Sequence, residues 1–147
     1  MTECKYHLAM PKDVIYLWPD VEPLITKGLE HTNGEAAADF FFLPIYQGQQ
    51  QLWIGLDGNK GTIPAVIVSE VLRFPLKTAL YIHIWSTKSG YDYDPWMKAF
   101  EEIKDSARVN GCEYIEARAR KGLAKKLKTH HGWTEKQTVI TTQLLGE

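Results

Sequence analysis

The chain has 147 residues, 44% of them hydrophobic, which suits one globular domain able to bury about two thirds of the surface its unfolded form would expose. Seventeen Lys and Arg against eighteen Asp and Glu leave a formal charge of −1, so no bulk basicity points to nucleic acid. Cys4 and Cys112 match no metal or redox spacing, no apolar run approaches the ~20 residues of a membrane span, and no leader opens the sequence; a reduced, cytoplasmic, single domain over 1–147 is expected.

"CKYHLA" (4–9) reads as a short first strand. Val21, Leu24, Ile25 and Leu29 follow helical spacing, with Asp20 as N-cap, Pro23 in the first turn and Asn33-Gly34 as the stop. "EAAADFFFLPIYQG" (35–48) opens as a second helix that Pro44 should cut, and its aromatic residues are expected in the core. The period then changes to that of strands. "QQLWIGLD" (50–57), "TIPAVIVSEVLRF" (62–74) and "TALYIHIW" (78–85) are rich in β-branched and aromatic residues and are separated by short turns, which predicts an antiparallel meander. "YIHIW" is apolar on both faces apart from His83, as a strand covered on both sides requires.

Trp96, Phe100, Ile103 and Ala107 recur on one helix face, with Asp94 as cap, Pro95 in the first position and Asn110-Gly111 as the end. "CEYIEARA" (112–119) reads as a strand, "KGLAKKLKTHH" (121–131) as a basic amphipathic helix and "TEKQTVITTQLL" (134–145) as a closing strand. Strand, helix, strand is a right-handed crossover, so strands 78–85 and 112–119 should be parallel neighbours that part toward their C-terminal ends. The expected class is α/β (α+β): a mixed sheet with an antiparallel meander, one central parallel pair and helices on both faces.

That order, with "AKKLKTHHGW" near the end, resembles the GNAT (Gcn5-related N-acetyltransferase) superfamily over nearly the whole chain. "QLWIGLDG", "GCEYIEARAR" and the late Gly132-Trp133 are similar to the small GNAT-like proteins encoded by tailed bacteriophages, which would put the protein in a host cytoplasm. The resemblance implies an acyl-CoA-dependent N-acyltransferase using acetyl-CoA, its pyrophosphate held by backbone N–H groups between the fourth strand and the next helix. Here that loop is "STKSGYDYDPW". Lys88, Ser89 and Gly90 suit it, but the family's second glycine is missing, and Asp92 and Asp94 bring carboxylates that repel a phosphate ~5 Å away by several tenths of a kcal/mol even in water. The family's late Asn-x-x-Ala-x-x-Leu-Tyr-x-x-x-Gly-Phe is matched at Ala124, Leu127, Gly132 and Trp133. Lys121 and Lys128 replace the Asn and the Tyr, so the presumed acid is lost and Lys128 reads as a solvated cation.

For the chemistry, His83 on the strand lining the acceptor cleft is either a general base or a hydrogen-bonded core histidine. Glu70 on the neighbouring strand is a second base candidate or a solvent-facing carboxylate. Adjacent His130 and His131 point in different directions, so no metal is expected. Asp13, Asp20, Glu22, Glu30, Glu35 and Asp39 fall early and Arg118, Arg120, Lys121, Lys125, Lys126 and Lys128 late. The late cations form a solvated helix face, pair with acidic neighbours such as Glu101, Glu102 and Asp105, contact nucleic acid, or hold CoA phosphates, with Arg120 and Lys121 as the candidates for that role. Two function classes follow: an acyltransferase acting on an amine of a small molecule or protein, and a non-catalytic GNAT-fold protein that kept the scaffold and binds a protein or nucleic-acid partner.

Overall fold

The computed structural model describes residues 4–30, 37–58, 62–88, 93–118 and 121–136, together with 140, 142 and 144. Its sheet has five strands in the order β1 (Lys5–Leu8), β2 (Gln51–Leu56), β3 (Ala65–Arg73), β4 (Thr78–Thr87) and β5 (Tyr114–Ala117). The first four form the expected antiparallel meander, and β4 and β5 are parallel, with Ala79 opposite Tyr114 and Ile82 opposite Ala117. Thr134–Lys136, where a closing strand was expected to start, belong to none of the strands, and most of the rest of that segment lies outside the described residues.

Successive residues of β3 face opposite sides of the sheet, and Ala65, Val66, Ile67 and Val68 are all buried because both sides are covered. One face carries Leu52, Val66, Val68 and Ile84 against α1 (Val14–Leu29) and α2 (Asp39–Tyr46). The other carries Trp53, Ala65, Ile67, Leu80 and Ile82 against α3 (Tyr93–Ala99) and α4 (Glu101–Val109). A last helix, α5 (Lys121–His130), buries Leu123 and Leu127 beside Met97, with Trp85 and Trp133 packed against them.

Four helix boundaries differ from the expectation. α1 begins at Val14 after a single 3-10 turn, Pro11–Asp13, and contains both Pro19 and Pro23, so Asp20 is not its cap. An interior proline costs about 3 kcal/mol in an isolated helix, but the stripe of Val14, Val21, Leu24 and Ile25, all buried, extends through it and repays more. Pro44 likewise sits inside α2, and the chain turns only at Gly48, whose φ of 80° suits glycine. Only part of the aromatic stretch is core: Phe41 and Ile45 are buried, while Phe40 (66% exposed), Leu43 and Tyr46 face outward, because one helix of that length has a single inner face. The expected single helix after β4 is two, meeting at Phe100, whose carbonyl accepts from the N–H groups of both Ile103 and Lys104. That shared acceptor is a local 3-10 tightening. Asp94 falls inside α3 and not at its cap, whereas Gly111, with φ of 79°, ends α4 as expected.

Trp96 is fully buried and lies directly on the backbone of Gly55. A Cβ at Gly55 would come within 2.8 Å of Trp96 and 2.8 Å of the Ala65 Cβ. Gly55→Ala is therefore expected to lower stability by about 1–3 kcal/mol in chemical denaturation, as overpacking does; a change within about 0.5 kcal/mol would show that the indole can move aside.

Candidate active site

The geometry around His83 begins with a fault in the ladder. Val68 pairs with Ile84 but Ser69 pairs with Ile82, so His83 is an extra residue, a β-bulge in β4. Its effect on direction is visible in the packing: Ile82 joins the α3/α4 side of the core and Ile84 the α1/α2 side, although residues two apart in a regular strand share a face. His83 is turned onto the α1/α2 face, where its ring meets those of Phe41 (5.7 Å between centroids) and Tyr81 (4.8 Å, edge to face).

On that face Glu70 of β3 reaches it. His83 Nε2 and Glu70 Oε1 are 2.8 Å apart, with about a quarter of each side chain open to solvent, 25% for His83 and 30% for Glu70. The two candidate bases of the sequence are thus one hydrogen-bonded pair: His83 is hydrogen-bonded and partly buried, and Glu70 turns its carboxylate to the imidazole. A separation of 2.8 Å between Nε2 and a carboxylate oxygen calls for a proton between them; in the neutral imidazole that is the Nε2–H tautomer, whose lone pair is on Nδ1. A carboxylate that fixes the tautomer and orientation of an imidazole is the arrangement by which histidine serves as a general base.

A third residue was not singled out by sequence. Gln50 precedes β2 and is 8% exposed; its Nε2 lies 3.3 Å from Glu70 Oε1 and 3.5 Å from His83 Nε2. Its Oε1 is buried with no hydrogen-bond partner, a circumstance that costs about 1–3 kcal/mol. Glutamine before a strand carries no local signal, and only the register of β2 on β3 brings it here. The same is true of Lys27 in α1, whose Nζ donates to the carbonyl of Thr87 at 2.6 Å and ties the helix to the last residue of β4. Close packing assists: Gly28 lets α1 approach until an added Cβ would stand 2.9 Å from Ile84.

The bulge lies where the parallel pair ends. Pairing with β5 stops at Ile82 opposite Ala117, and β4 runs on from His83 to Thr87 without a strand on that side among the described residues. Of the loop candidates, Lys88 is exposed and its backbone N–H donates to Pro64 O at 2.8 Å. Ser89, Gly90 and Arg120 lie outside the described residues, as does the side chain of Lys121, the first residue of α5. Lys128, in place of the family's tyrosine, pairs with Glu135 at 3.1 Å on the surface, and Trp133 folds back with its N–H on Leu127 O. Both cysteines are free and partly buried; loss of solvation, the larger cause in each case, pushes both thiols up and away from reactive thiolate. Among the described residues no helix is long and apolar enough to cross a membrane.

No protein-family model and no curated protein matches the sequence. Solved structures do match it. An aminoglycoside acetyltransferase from an uncultured soil metagenomic sample, in complex with sisomicin, is 17% identical over 97% of this chain and 97% of its own, with a TM-score of 0.70. A predicted acetyltransferase with acetyl-CoA from Clostridium acetobutylicum is 16% identical over 96% of each chain at a TM-score of 0.67. Glucosamine-6-phosphate N-acetyltransferase from Arabidopsis thaliana is 15% identical over 96% of this chain and 98% of its own, at 0.65. At such identities the common ground is the fold, and the fold of this chain is GNAT-like.

Proposed function

We propose that the chain is an acyl-CoA-dependent N-acyltransferase of the GNAT superfamily that acylates an amine on a small molecule, with His83 as general base and Glu70 as its orienting carboxylate. The observation that carries this reading is the Glu70–His83 pair set by a bulge at the point where β4 and β5 part company. An amine must lose a proton as it forms an amide, and His83 Nδ1 is the lone pair left to take it. Past Ile82 the edge of β4, which pairs with no strand on that side among the described residues, offers backbone groups that fit a slender thioester arm and the carbonyl oxygen beside it. Acetyl-CoA, when bound, supplies the activated acyl group. The solved relatives in fold include proteins acting on an aminoglycoside and on glucosamine 6-phosphate, which supports a small amine as acceptor. "QLWIGLDG" and "GCEYIEARAR" support kinship with the small phage-encoded members of the superfamily.

The cofactor loop bears on the rival class, a scaffold that has lost catalysis. Asp92 and Asp94 oppose phosphates, and the second glycine is absent. Acetyl-CoA is accordingly expected to bind weakly in calorimetry; Asp92→Gly should tighten it, and the gain should shrink with added salt because screened charges repel less. Low-micromolar binding by the unaltered protein would refute this account of the loop, and Lys88, Gly90, Arg120 and Lys121 would become the first phosphate contacts to test. The function itself is tested by release of free CoA from acetyl-CoA over a panel of amines. No transfer to any amine at saturating acetyl-CoA, in the unaltered protein and in Asp92→Gly alike, would overturn it in favour of the partner-binding scaffold.

A further inference from the structure

We infer that Gln50 is a positioning residue for the Glu70–His83 pair: its side-chain amide aims the carboxylate at His83 Nε2 and so keeps Nδ1 as the free base. This rests on the reading of His83 as the base.

Two features of the fold hold Gln50 in place. Pro44 O in α2 accepts from the N–H of both Gln49 (2.8 Å) and Gln50 (3.1 Å), and this pair of hydrogen bonds to one carbonyl fixes the chain where it enters β2. Burial then holds the side chain against Glu70 and His83. The orientation of the amide is informative because it looks unfavourable. Nε2 faces the pair and Oε1 is left buried without a donor. A flipped amide would put Oε1 3.3 Å from Glu70 Oε1, two acceptors facing one another, so the carboxylate dictates the orientation. Gln50 Nε2 donates to Glu70 Oε1 and, at 3.5 Å, is too far from His83 Nε2 to compete for it, so the carboxylate it holds, at 2.8 Å, is the acceptor that His83 Nε2–H meets. An apolar side chain of similar volume would fill the space without the unpaired oxygen, yet it could not make that choice. Buried polar groups that stay incompletely satisfied need such an explanation.

The test uses the intact protein without cofactor. Side-chain nitrogen–proton correlation spectra of His83 at mildly alkaline pH should show the Nε2–H tautomer alone in the unaltered protein. Gln50→Leu should give a mixture of tautomers, with melting temperature unchanged or raised because the unpaired oxygen is gone. In the transfer assay the same variant should lose roughly tenfold in kcat with KM for the amine unchanged, the pattern of a group that acts on the transition state alone. Gln50→Glu, of the same length but with a like charge facing Glu70, should lose more. A His83 spectrum in Gln50→Leu identical to that of the unaltered protein would overturn the inference, whatever happens to transfer. A changed tautomer pattern with transfer unaffected would keep the positioning role and instead remove His83 as the base.

Discussion

Replacing Phe100 with alanine is expected to lower stability by about 3–5 kcal/mol, measured by chemical denaturation with both transitions two-state. Phe100 is 2% exposed and sits where three parts of the core meet. Its ring stacks on Trp85 of β4 at 4.5 Å and approaches Trp133, beyond α5, at 6.1 Å, while its backbone joins α3 to α4. Trp85 cannot easily move into the space left behind, because its Nε1 donates to the Tyr6 hydroxyl at 3.0 Å and so anchors the indole to β1. The cavity should therefore persist, and persistent cavities account for the upper half of the range for large-to-small changes. Since a domain of this size has only ~5–15 kcal/mol in total, Phe100→Ala should be at the margin of folding at growth temperature. Phe100→Leu, which keeps most of the volume, should cost under about 1.5 kcal/mol. A loss below about 1 kcal/mol for the alanine variant would mean that α5 and Trp133 collapse into the gap.

Phe100 also shows how much of the fold could be read from sequence. The recurrence of Trp96, Phe100, Ile103 and Ala107 identified a buried helix face correctly, because burial follows the 3.6-residue period whatever the backbone does between turns. It did not reveal that two helices meet at Phe100, since a switch from i+4 to i+3 bonding leaves the apolar spacing nearly intact. The parallel pair was legible for a different reason: β4, a helix and β5 in that order permit one handedness only. Pro23, placed in a first turn, and Pro44 misled in the same direction, toward helices that are too short, because local cost is visible in a sequence and the tertiary packing that offsets it is not.

The candidate site divides along the same line. His83 and Glu70 carried a signal of their own, ionisable residues in otherwise apolar strands, but nothing in the sequence joined them. A regular β3–β4 register would also have sent His83 to the same face as Trp85, Ile67 and Phe100. The extra residue at the bulge reverses that, and a bulge has no reliable sequence mark when no glycine accompanies it. Gln50 and Lys27 were invisible for the stronger reason that both act across long stretches of chain, Gln50 on β3 and β4, Lys27 on the end of β4.

The largest effect on activity is expected at His83. His83→Ala should reduce acyl transfer by about 10²–10⁴-fold, the usual contribution of a general base, with acetyl-CoA affinity unchanged because the segment proposed to meet the pyrophosphate begins beyond Thr87. Glu70 distinguishes the two possible divisions of labour within the pair. If His83 is the base and Glu70 its orienter, Glu70→Gln should cost only about tenfold, since an amide oxygen can still accept from Nε2–H at the observed 2.8 Å. If Glu70 removed the proton itself, Glu70→Gln would be as damaging as His83→Ala, because a neutral amide takes no proton. The double variant adds a second criterion: residues acting as one unit lose little more together than the worse of them alone, whereas independent contributions multiply. Full transfer by His83→Ala, in protein that still folds, would remove His83 from the mechanism and leave Glu70→Gln to decide whether the carboxylate takes the proton alone.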